Sequence, residues 1–174
     1  MGMDVAILVL RLVVGLYLFG HGAQKLFGWF GGGGLSGTFA MVDRLRFRPR
    51  VLWGLGVGLG EAVGGALLAL GLLMPLGSIS IIAVMIVASV AVHWKNGLWA
   101  TKGGFELPLT NIAAAIAVAG AGPGRYSLDA LLRIRLPEPQ TFALFGFLAL
   151  LTVVAGFATR RRLEPAVETA KEVA

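Results

Sequence analysis

The sequence predicts an all-α protein: a polytopic bundle of four to five transmembrane helices with a short interfacial amphipathic segment. Three observations carry this. Five long apolar runs make up most of the 174 residues. The composition is 57% hydrophobic and 14% charged, against roughly 25% charged in an ordinary soluble domain, and the mean hydropathy is +0.83. One small soluble core cannot hide that much apolar surface, whereas a bilayer is a solvent that suits it. Third, Arg11, His21, Lys25, Glu61 and His93 sit within or at the ends of the runs. Each costs at least about 2.5–3.5 kcal/mol in hydrocarbon, so together they point to a polar site between helices.

The first span is expected over residues 5–27. Asp4 stands where a signal peptide carries basic residues, and Arg11 interrupts the run, so this helix is expected to be retained. The residues after Gly2 lack the Ser or Thr of a myristoylation site. A glycine run, 31–34, leads into an amphipathic piece over 35–48. Leu35, Phe39, Val42 and Leu45 share one side of it, and Arg44 and Arg48 lie opposite. Arg46 falls on the apolar side and Pro49 comes soon after, so the helix should end near there and lie in the interface.

The second span is 51–73 and the third 76–94. Met74, Pro75, Leu76 and Gly77 make a tight turn, so the two spans form an antiparallel hairpin. The fourth, 107–121, is short, but its low charge favours insertion. The fifth, 141–159, stops at Arg160, Arg161 and Arg162. Residues 1–159 are thus one transmembrane domain. The tail, 160–174, is basic and then mixed in charge, and from 163 it reads as frayed helix or disorder.

The net charge of +6 does not imply nucleic acid. The basic residues gather at helix ends and in short loops, where lipid headgroups meet them. Arg44, Arg46, Arg48, Arg50, Lys95, Lys102 and the tail fall on one side of the membrane; Arg125, Arg133 and Arg135 fall on the other. With five spans this puts the C-terminus in the cytoplasm of a cell whose inner membrane the protein crosses. The chain has no cysteine, which removes disulfides, thiol catalysis and cysteine-ligated clusters from the chain itself.

The same topology brings the end of span one, the start of span two, the end of span three and the start of span four to one face. His21, Lys25, His93 and Glu106 then lie at similar depth, and Glu61 lies roughly 15 Å in. Trp29, Trp53, Trp94 and Trp99 fall on that face as an aromatic belt. Glu61 shares its side of span two with Gly54, Gly58 and Gly65, and small-x₃-small spacings there permit close helix approach. Glu61 should therefore face span one, with Arg11 or Lys25 as counter-ion. Plainer readings compete with this. Lys25 and Lys95 can simply snorkel, Arg11 and Glu61 can form a purely structural pair, and the glycines can serve packing alone. Two histidines on adjacent helices can hold a haem, but both lie near span ends and a haem needs a large pocket. His21 and His93 with Glu61 or Glu106 offer metal-type ligands; no metal is assigned. The glycine run lacks the Gly-Lys-Ser/Thr of a phosphate loop.

Arg11-Leu-Val-Val-Gly15 through His21-Gly22-Ala-Gln24-Lys25-Leu-Phe27-Gly28 resembles the opening motif of the DoxX family of bacterial membrane proteins. Gly37-Thr38, Glu61-Ala-Val-Gly64-Gly65, Leu70-Gly71-Leu72 and Pro75-Leu-Gly77 resemble the family's interfacial and second-helix patterns. His93 with Gly97-Leu-Trp99 and Gly103-Gly104-Phe-Glu106 resembles its third loop, and Gly122-Pro123-Gly124 with Tyr126-Ser127-Leu128-Asp129 its closing motif. The likeness covers about 11–129, and it rests on the ordered set rather than on any single piece. The family is described as four-helix proteins, so the fifth span is a departure and a place for a partner or a second copy. Relatives include a subunit of thiosulfate:quinone oxidoreductase, a mycobacterial protein linked to thiol-oxidant defence and, more distantly, surfeit-locus cargo receptors. The resemblance implies a membrane subunit of a redox system handling quinone or a small sulfur or thiol compound, with a soluble or membrane redox partner. Arg11, Lys25, His93 and Glu106 would bind, and His21 and Glu61 would relay protons. The alternative is a non-enzymatic transporter or an assembly and cargo partner.

Overall fold

The computed structural model describes residues 2–160, and within them every regular element is helical. Helix α1, Met3–Phe27, ends at Gly28, whose φ of 75° makes it a left-handed cap. A 3₁₀ turn, Trp29–Gly31, leads into α2, Gly34–Arg44. Helix α3, Arg50–Leu70, closes at Gly71, with φ 60° and its N–H on the Leu68 carbonyl. Helix α4, Leu76–Ala88, continues as a π turn, Ser89–His93, and a 3₁₀ turn, Trp94–Asn96. Then come α5, Glu106–Ala121, the single-turn α6, Leu128–Leu132, and α7, Gln140–Ala158.

Among the described residues, four stretches are long and apolar enough to cross a membrane: Met3–Phe27, Arg50–Leu70, Leu76–Asn96 and Gln140–Ala158. The fourth predicted span, α5, has 16 residues, or about 24 Å at 1.5 Å per residue, short of a hydrocarbon core of about 30 Å. Its buried Ala115 and Val118 nonetheless sit in the central core with Val14, Leu18, Leu68, Ile81 and Met85. The chain is a multi-pass membrane protein.

Two boundaries fall earlier than the pattern suggests. The interfacial helix ends at Arg44 rather than near 48. Arg46 adopts φ 66° and the Phe47 N–H turns back to the Val42 carbonyl at 3.2 Å. This segment is also more than a lipid-surface helix, because Thr38 and Val42 are buried and the Thr38 hydroxyl donates to the Lys25 carbonyl at 2.9 Å. The second helix stops at Leu70, three residues short of expectation. The carboxylate of Asp129 accepts the N–H groups of Leu73 and Met74, both at 2.9 Å, and holds that stretch as a turn.

Helices α1 and α3 pack backbone to backbone. A Cβ on Gly15 would lie 2.5 Å from the Ala69 nitrogen, and one on Gly65 2.5 Å from the Phe19 nitrogen. These contacts fix the register between the two helices. Lys25 and Leu26 come beside Gly58, one turn from Glu61. On the other side of α3, Gly60 and Gly64 admit Val84 and Ser80 of α4. The Ser80 hydroxyl donates to the Gly60 carbonyl at 3.0 Å.

The ends of α1 and α4, the starts of α3 and α5, and the end of α7 share one face of the bundle, the basic face. Arg160 marks the position of α7 there. Its Nε donates to the Leu45 carbonyl at 3.0 Å, and its guanidinium lies 5.1 Å from the Phe47 ring centre and 5.6 Å from that of Phe157. Arg161, Arg162 and the rest of the tail lie outside the described residues.

Candidate functional site

A cavity of about 550 Å³ opens among α1, α3, α4, α5 and α7. That is within the roughly 300–1,000 Å³ range of ligand pockets. Its wall is mostly apolar, and His21, Lys25, Glu61 and His93 all reach it. Four of the six residues expected to act together therefore line one cavity.

Lys25 and Glu61 form a direct ion pair, with side chains 21% and 5% exposed. Lys25, not Arg11, is the counter-ion. The reason lies in the α1–α3 register, which sets Lys25 one turn from Glu61. His21 stands one turn before Lys25 on α1 and meets the Tyr17 ring edge-to-face at 4.5 Å. His93 ends the π turn. Its Nδ1 donates to the Gly103 carbonyl at 2.7 Å, which leaves Nε2 as the acceptor of the neutral ring. Ser89 favours the π turn, because its hydroxyl donates back to the Met85 carbonyl at 2.7 Å and competes with the helical ladder.

Arg11 and Glu106 lie elsewhere. Arg11 is 14 residues before Lys25, about 21 Å along the helix, so it shares a helix side with Lys25 but not a depth. It is 1% exposed and donates to the carbonyls of Pro123 and, at 2.6 Å, Tyr126. Buried Asp129 belongs to the same cluster at the opposite face. Glu106 opens α5 and accepts the Ala100 N–H at 2.8 Å. It holds the 97–105 loop and is not part of the cavity wall.

Several wall residues escaped the sequence reading. Trp53, expected in the lipid-facing belt, turns inward. Its indole N–H donates to the Arg48 carbonyl at 3.0 Å, and its ring lines the cavity. Tyr17, Ser80 and Asn111 also contribute. Tyr17 is one turn before His21, so helix phase would have found it; Asn111 and Ser80 carry no such signal.

Outside the membrane-spanning segments, Asp43 at the end of α2 accepts from Arg50 at 3.0 Å and from Arg48. The Arg50 and Arg48 guanidinia hold its carboxyl below the usual carboxylate range. This ties together the α2–α3 connection, which carries Phe47 into the wall and leads into the turn of α3 that holds Trp53.

A family profile, DoxX, matches residues 6–94, a little over half of the chain. The chain belongs to the DoxX family. The matched part holds α1 to α4, and with them His21, Lys25, Glu61 and His93. The DoxX profile stops before the third loop, α5 and the Asp129 segment, all of which the motif resemblance includes. No curated protein and no solved structure matches the chain.

Proposed function

We propose that this DoxX protein is the membrane subunit of a redox system and that its cavity holds quinone or a small sulfur or thiol compound. The observation that supports this most is a buried Lys25–Glu61 pair on the wall of an otherwise apolar cavity of about 550 Å³. A charged pair is costly in hydrocarbon, and intramembrane ionisable residues mark functional paths by default.

In this reading Lys25 donates to a ligand oxygen, and His93 offers Nε2 to a ligand hydroxyl. His21 and Glu61, which both reach the cavity wall, relay protons between ligand and the basic face. A quinone takes two electrons and two protons on reduction. Without cysteine, this chain leaves the electron donor to a separate redox subunit. Arg11 and Glu106 hold structure rather than ligand. The protein would lie in a bacterial inner membrane with its basic face toward the cytoplasm, since Arg44, Arg46, Arg48, Arg50, Lys95, Lys102 and Arg160 outnumber Arg125, Arg133 and Arg135.

The test is direct. The protein is purified in mild detergent, its absorption spectrum recorded, and its bound lipids extracted for quinone. Stoichiometric quinone is the expected result. Neither quinone nor haem bands would favour a transporter or a cargo and assembly partner.

A further inference from the structure

We infer that α7, which lies beyond the family-matched residues, is the wall that selects the ligand, with Ala149, Val153 and Gly156 as specificity-determining residues. This rests on reading the cavity as a ligand site.

Helix α7 turns one narrow stripe toward the protein. Gly146, Ala149, Val153, Gly156 and Arg160 recur at three- and four-residue spacing and are all buried or half-buried. Around them Leu144, Phe147, Leu150, Leu151 and Val154 are exposed, as lipid-facing side chains are. Ala149, Val153 and Gly156 line the cavity. On a helix otherwise rich in Leu and Phe, the cavity side carries the small residues. The space there is room left by short side chains, which larger ones would fill.

The wall is also held in place. Arg160 ties its end to the Leu45 carbonyl and the Phe47 ring. A Cβ on Gly156 would lie 3.3 Å from the Trp53 ring, so that indole packs directly on the α7 backbone. Phe47 and Trp53 line the cavity themselves. A fixed apolar wall on one side and the polar groups of α1, α3 and α4 on the other suit an amphipathic ligand. Its head would meet Lys25 and His93, and its apolar body would lie along α7. The bulk of that body is then limited by the side chains at 149, 153 and 156.

Trp53 supplies the readout, because quinones quench indole fluorescence on contact. Two probes are titrated into the full-length protein in detergent: a dimethoxy-methyl-benzoquinone without a tail, and the same ring with a decyl tail. Trp53→Phe identifies the part of the signal that comes from the cavity. Val153→Phe should weaken the decyl-tailed probe by about tenfold or more and the tail-less probe by less than about threefold. Val153→Ala should move the preference toward the tailed probe, and it settles the matter if the larger side chain impairs folding. Native affinities for both probes in both variants would overturn the role of α7. If neither probe quenches Trp53 saturably in the native protein, the quinone reading of the cavity falls, and this role of α7 with it.

Discussion

Removing either member of the Lys25–Glu61 pair strands the other, and the two side chains are unequally exposed, at 21% and 5%. Breaking a fully buried pair costs about 3–5 kcal/mol. After Glu61→Gln the stranded Lys25 still reaches water, so the cost should fall below that range. After Lys25→Met the stranded carboxylate has little access to water and must take up a proton or destabilise the bundle. Lys25→Met is therefore expected to lower the melting temperature in detergent more than Glu61→Gln does. Equal, negligible effects would mean that the pair is not buried in solution. That Glu61 meets a basic group of α1 was readable in advance, because helix phase and the glycine-lined side of α3 both aimed it there; that the group is Lys25 rather than Arg11 depends on the α1–α3 register. The partners of Arg11 were not readable. They are backbone carbonyls of Pro123 and Tyr126, and a carbonyl leaves no mark in a sequence.

Among the elements, the connection between α2 and α3 offers a test by pH. Asp43 is half-buried and its carboxyl is held below the ordinary value of 3.8 by Arg50 and Arg48. A depressed folded-state value means that the contribution is present above the unfolded value and lost as pH falls through the folded one. Asp43→Asn should thus be slightly less stable than the native protein at neutral pH. The difference should shrink with added salt and vanish in acid. Melting curves of the two proteins between neutral pH and about pH 3 would check this; a gap that widens in acid would contradict it. Element positions and most of their ends were readable from apolar runs, but the ends of α2 and α3 were not. The left-handed turn at Arg46 and the capture of Leu73 and Met74 by Asp129 are tertiary events. No local pattern announces them.

For the whole molecule, the testable statement is which way it crosses the membrane. Arg160 packs on the same face as the α2–α3 connection, so the basic residues of that connection and of the end of α7 accumulate on one side. A C-terminal alkaline phosphatase fusion is expected to be inactive and a C-terminal fluorescent-protein fusion to glow. The reverse pattern would mean that α5, with its 16 residues, does not complete a crossing, or that charge does not set the orientation. The bundle was readable because hydropathy has so few solutions in lipid. The shape of the cavity was not, since it depends on Trp53 turning inward and on the small stripe of α7.

The Arg11 cluster also has a consequence in time. Its acceptor at Pro123 lies 112 residues further along the chain, and synthesis proceeds at about 5–20 residues per second. For roughly 6–22 seconds of synthesis the carbonyls that Arg11 donates to in the folded protein are not yet made. The guanidinium must stay near the headgroups or carry water with it during that interval. Its final seating is completed by a segment made long after it, in the part of the chain beyond residue 94.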